Sequence, residues 1–184
     1  MELDPSLFGF SGVRDVLNVH PFFVHVPVAL FPVALLCYGL GIVGRWKNGL
    51  IAGRICVWLA TVGAALAILT GLRAEETIPH NAQIHHLMET HESLGLIIGG
   101  VGLGLAIWSL FHREQRPKMA WAFLGALTIV TGLVAQTSDL GARMVYIEGA
   151  GVKAAIPLVT GGRHHHAHEH EEAPDEHSPS HHDE

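Results

Sequence analysis

Charge is what this sequence has least of. Only 15% of its 184 residues are Asp, Glu, Lys or Arg, against about a quarter in a soluble domain. None occurs from residue 22 to 44, or again from 55 to 72. A soluble core helix rarely runs that far without charge, which argues against a soluble globular domain. Basic residues form no stripe or patch, so nucleic acid is excluded as a partner. Cysteine is scarce as well: Cys37 and Cys56 both lie inside apolar runs and read as small buried residues. No Cys-x-x-Cys-His occurs, so covalent c-type haem attachment is not encoded. With no catalytic carboxylate pair, nucleophile triad or phosphate loop, the chain reads as non-enzymatic.

What the sequence does have is long apolar runs. Four windows of roughly 20 residues, at about 20–44, 50–72, 91–111 and 119–136, match the length that crosses a hydrocarbon core. The first is too long for a signal peptide, lacks a basic segment before it and shows no cleavage site. Short connections favour an all-α, up-down-up-down transmembrane four-helix bundle, with the first and third helices parallel and diagonal. The first connection carries Arg45, Lys47 and Arg54, and the third carries Arg113, Arg116 and Lys118 against Glu114. The second is acidic, with Glu75, Glu76, Glu89 and Glu92 against Arg73. The positive-inside rule then places both termini and the second connection outside, in the periplasm of a bacterial inner membrane. Residues 1–18 form a periplasmic segment, 19–152 the membrane domain and 153–184 a periplasmic tail.

Glycines crowd the third span at Gly95, Gly99, Gly100, Gly102 and Gly104. Two Gly-x-x-x-Gly spacings there read either as close helix packing or as room for a flat cofactor. Residues 139–152 read either as a short amphipathic interfacial helix or as an extension of the fourth span.

Histidine is unusually plentiful, and its distribution is uneven. Eight of the 15 lie in the tail, which is too polar to fold alone and reads as disordered. Tail residues His164, His165, His166, His168 and His170 could capture Zn or Cu. His20, His25, His80, His85, His86 and His91 all fall at or near the outer face. His20 and His25 open the first span, and His86 and His91 open the third with the same spacing. Five residues are about 7.5 Å of rise and about 140° of turn, so such a pair does not share a helix face. One His from each helix, holding a single iron between them, suits that spacing better. Of these, His25 and His91 are expected to be the ligands. His20 and His86 would orient them, and Arg73 and Arg143 would meet haem propionates. Ionisable groups inside a span are uncommon and usually functional. A Zn or Cu site drawing on His80, His85, His86 and Glu89 stands as the alternative.

The same residues carry a family resemblance. His-Pro-x-x-x-His-x-Pro-x-Ala-Leu at 20–30, Thr70-Gly71-Leu72, the start of the third helix at His91, and Leu140-Gly141-Ala142-Arg143-Met144-Val145-Tyr146-x-x-Gly149-x-Gly151-Val152 resemble the bacterial membrane domain of unknown function 2231, over about residues 19–152. Val26 departs from the family's usual Phe. The family has no assigned activity, but members are sometimes fused to Rieske-type or cytochrome c-type modules. The resemblance therefore implies a membrane electron-transfer setting: a haem b subunit passing electrons between a quinol or membrane partner and a periplasmic cytochrome c. A cofactor-free structural subunit of a larger membrane complex is a further alternative.

Overall fold

The computed structural model describes residues 18–111, 117–152 and 155–156. Within them the chain forms four long helices: α1 (His20–Val43), α2 (Lys47–Thr77), α3 (Ala82–Leu110) and α4 (Ala120–Tyr146). At 1.5 Å per residue these are roughly 36 to 46 Å long, and all four are long and apolar enough to cross a membrane.

Local chemistry explains where the helices begin and end. The Asn18 side chain accepts from the His20 N–H at 3.0 Å, and Pro21 follows in the first turn, where its missing N–H costs nothing. Asn81 caps α3 by accepting from the Ile84 N–H at 2.9 Å, just after Pro79 has stopped the preceding segment from continuing as helix. Arg45 and Met119 adopt left-handed backbone at the turns before α2 and α4. Of the two readings of residues 139–152, the structure takes the extension: α4 runs without a break to Tyr146. No separate interfacial helix forms there, because Leu140, Met144 and their neighbours simply continue the periodicity of α4.

Each helix packs on its chain neighbours, and α4 closes the ring against α1, which leaves α1 and α3 on one diagonal. The tightest pairing is α1 with α2. It rests on small residues: a Cβ at Gly41 would lie 2.6 Å from Leu50, and one at Gly63 would lie 2.5 Å from Val26. In the third span only Gly99, against Ile68, and Gly102, against Phe31 and Thr61, are in close contact. Gly95, Gly100 and Gly104 meet nothing within 4 Å, so the first Gly-x-x-x-Gly pair joins an open glycine to the packed Gly99, the second is open at both positions, and neither forms a packed seam.

The core divides along the bundle axis. Away from the histidines, Phe123 packs tilted against Tyr38 and edge-on against Trp108, with ring centres 4.7 and 5.4 Å apart, in a core with buried Phe31, Leu127 and Val57. Large apolar residues such as Leu36, Leu69 and Ile129 are more than half exposed on the outside. Apolar surface on both the inner and outer faces belongs to a bundle solvated by lipid.

Candidate functional site at the histidine end of the bundle

Depth along the diagonal is set by Phe31, whose ring lies against Gly102 of α3. Phe31 is 11 residues beyond His20, and Gly102 is 11 beyond His91. In that register His20, not His25, comes level with His91. The two imidazoles meet across the bundle with ring centres 6.0 Å apart and planes at 80°. Equal spacing of the two His pairs is what makes His25 the tempting partner. The helices are offset by one such spacing because α3 begins at Ala82, nine residues before His91, whereas α1 starts at His20 itself. His25 is exposed, and its Nδ1–H donates back to its own helix at the Pro21 carbonyl, 2.6 Å away.

Each ring of the pair rests on a glycine of the neighbouring helix. A Cβ at Gly71 would fall 3.2 Å from His20 Cε1, and one at Gly141 would fall 3.3 Å from His91 Cε1. His20 Nδ1 lies 2.8 Å from the Ala67 carbonyl. A carbonyl only accepts, so Nδ1 carries the proton and Nε2 keeps its lone pair. Thr70 Oγ1 stands 3.4 Å from the same nitrogen. On the other side His91 Nδ1 is buried with no partner in hydrogen-bonding geometry, although the Thr137 backbone lies beside the ring. An orphaned buried nitrogen of this kind costs about 1–3 kcal/mol and marks a position that the fold alone does not satisfy. Gly95, one turn along α3 from His91, is half-buried yet has nothing within 4 Å of where a side chain would begin.

His80, His85 and His86 lie toward the end of the bundle. His80 and His85 stack with ring centres 5.3 Å apart and planes within 8°. His80 Nδ1–H is spent on the Ile78 carbonyl at 2.7 Å. His85 sits between Glu75 at 3.8 Å and Glu89 at 3.5 Å, and His86, largely exposed, lies 3.8 Å from Glu89. Among the described residues no group of three or more His, Cys, Asp or Glu is arranged to hold a metal ion. The Zn or Cu set of His80, His85, His86 and Glu89 is therefore not assembled. Arg73 is exposed at the end of α2. Arg143 pairs with Glu148 at 3.7 Å, and Glu148 also accepts from Gln83 at 3.0 Å, which ties α3 to the end of α4. The tail residues His164, His165, His166, His168 and His170 lie outside the described residues.

The motifs that gather at this level are His20 on α1, Thr70-Gly71 on α2, His91 on α3 and Gly141 on α4, one from each helix. The family model for DUF2231, described as a predicted membrane protein, matches residues 16–154 and so takes in all four. The chain belongs to the DUF2231 family. No curated protein and no solved structure matches it. The DUF2231 match therefore carries the architecture, and the chemistry has to be argued from the site. The sequence singles out His20 and His91 but not the Ala67 carbonyl, since a backbone acceptor leaves no side-chain signature. Its trace in the sequence is Gly71, four residues later in α2.

Proposed function

We propose that this protein is a non-enzymatic, membrane-embedded b-type haem electron-transfer subunit whose iron is held between His20 and His91. The observation that carries this reading is the facing imidazole pair with ring centres 6.0 Å apart. Metal–imidazole bonds are about 2 Å long and the ring centre lies roughly 1 Å further back, so His20 and His91 at this separation would both be within reach of one iron. The donor set supports the choice of metal group. Two imidazoles complete a haem iron, whereas a structural Zn site asks for four ligands. The open space at Gly95, one turn along α3 from His91, fits a cofactor that would fill it.

A haem at this position supplies a reversible one-electron Fe(III)/Fe(II) couple. The chain's own residues fix the ligands and shape their surroundings. Ala67 holds the His20 tautomer, and the glycines let the rings approach α2 and α4. The aromatic layer of Tyr38, Trp108 and Phe123 closes the bundle on the far side. Arg73 and Arg143, near the same end, are the cations within the domain suited to propionates. Cationic Arg45, Lys47 and Lys118 at the opposite end, against Glu75, Glu76, Glu89 and Glu92 here, favour a periplasmic position in a bacterial inner membrane. Electrons would then pass between a quinol or membrane partner and a periplasmic c-type cytochrome or another subunit of a redox complex.

The test is the cofactor content of protein purified in detergent from haem-replete cells. One protohaem per chain by pyridine haemochrome, with a reversible reduced-minus-oxidised band, is the expected result. Stoichiometric Zn or Cu without porphyrin, or no metal at all, would overturn the reading.

A further inference from the structure

The surroundings of the two imidazoles repeat. His20 stands over the stretch of α2 from Ala67 to Gly71, and His91 stands over the stretch of α4 from Thr137 to Gly141. In each case the glycine is four residues after the residue whose backbone faces the ring. Gly71 follows His20 by 51 residues and Gly141 follows His91 by 50. The first hairpin and the second are thus two similar halves about the bundle axis, each offering one imidazole to the centre.

On a helix, residues i and i+4 share a face, and the carbonyl of i points along the axis toward i+4. A side chain at i+4 shields that carbonyl from anything approaching sideways. With glycine there, the oxygen keeps its helical bond and still has a lone pair for a second donor. At Gly71 this has happened: His20 Nδ1 reaches the Ala67 oxygen at 2.8 Å. At Gly141 the glycine is in place and the Thr137 backbone lies beside the ring, yet His91 Nδ1 has no partner in bonding geometry.

We infer that Gly71 and Gly141 are positioning residues, each uncovering a helix carbonyl, of Ala67 and of Thr137, that takes the Nδ1–H of the facing imidazole and aims its Nε2 at the bundle axis. The inference rests on the haem reading and deepens it. It says that both ligands present the same nitrogen, held by the same kind of acceptor, from opposite sides. An Nδ1–H donated to a carbonyl makes the imidazole a stronger electron donor to its metal. Two such bonds favour Fe(III) and lower the midpoint potential. Substituting either glycine puts a Cβ at 3.2–3.3 Å from the ring, pushing the imidazole off its carbonyl.

The experiment uses the full-length, detergent-purified protein carrying His20→Gly or His91→Gly, titrated with imidazole and with 1-methylimidazole. Both small molecules bring a ligating nitrogen, but only imidazole retains an N–H for the carbonyl. Imidazole is expected to restore the low-spin spectrum in each variant with roughly five- to tenfold higher affinity, the worth of one neutral hydrogen bond. Equal affinities, or a preference in only one variant, would overturn the inference. Gly71→Ala and Gly141→Ala give a second measurement that does not depend on rescue. Each is expected to raise the haem midpoint potential while leaving the unfolding transition close to wild type, and unchanged potentials would overturn the inference. A wild-type protein with the expected haem but without these effects refutes the positioning role alone. A wild-type protein without haem refutes the proposed function beneath it.

Discussion

Alanine in place of His20 or His91 is expected to strip the purified protein of haem, with the content falling about 100-fold or more below wild type. Loss of a group that only supports a ligand already costs about 10- to 100-fold in metal affinity, and these substitutions remove the ligand itself. His25→Ala is the informative partner to this pair. The His25 ring is exposed and bonded only to its own helix at Pro21, so its removal is expected to leave haem content unchanged. The bond lost there is worth about 1 kcal/mol. Pyridine haemochrome assays on the three variants, normalised to protein, decide between His20 and His25. Haem lost from His25→Ala and retained in His20→Ala would reverse the assignment.

The second large effect is expected at Gly102, far from any ligand. A Cβ there would lie 3.0 Å from the Phe31 ring and 3.2 Å from Thr61 Oγ1, and both residues are buried. Gly102→Leu drives three further carbons into that contact, and overpacking of a filled core costs roughly 1–3 kcal/mol. We expect about 3 kcal/mol, read from SDS-induced unfolding, because the residues in the way are a ring and a helix face rather than a flexible chain end. The same contact fixes the relative depth of α1 and α3, and hence of His20 and His91. Haem affinity should therefore fall with stability, whereas Gly104→Leu, on the open side of the same helix, should change neither.

Much of this architecture could be read from the sequence, and the reason is physical. A membrane span announces itself by length and absence of charge, so the segments at 22–44 and 55–72 needed no tertiary information. Bundle topology follows from short connections, but hydropathy puts the start of α3 at 91, nine residues late, because the break at Pro79 and the cap at Asn81 lie in a polar stretch before the apolar run. The site was harder. Both histidines of the pair were among those singled out, but the sequence offers two equal spacings, 20 to 25 and 86 to 91, and no measure of the offset between parallel helices. That offset is set by one interlocking contact, Phe31 on Gly102, which hydropathy does not register. The acceptors on α2 and α4 are backbone oxygens, visible in sequence only as the glycines that expose them. The stacked His80 and His85 with their glutamates show the converse, since metal-ligating residue types gathered in sequence do not by themselves assemble a metal site.

Electron paramagnetic resonance of the oxidised, purified protein tests the central claim most directly, because it reports both the number of imidazoles on the iron and the angle between them. Two imidazoles with planes at 80° are expected to give a low-spin ferric signal of the large-g type produced by near-perpendicular axial ligands, and that signal should vanish in His20→Ala and His91→Ala. A high-spin signal, a signal that survives either substitution, or no haem iron at all would contradict an iron held between His20 and His91.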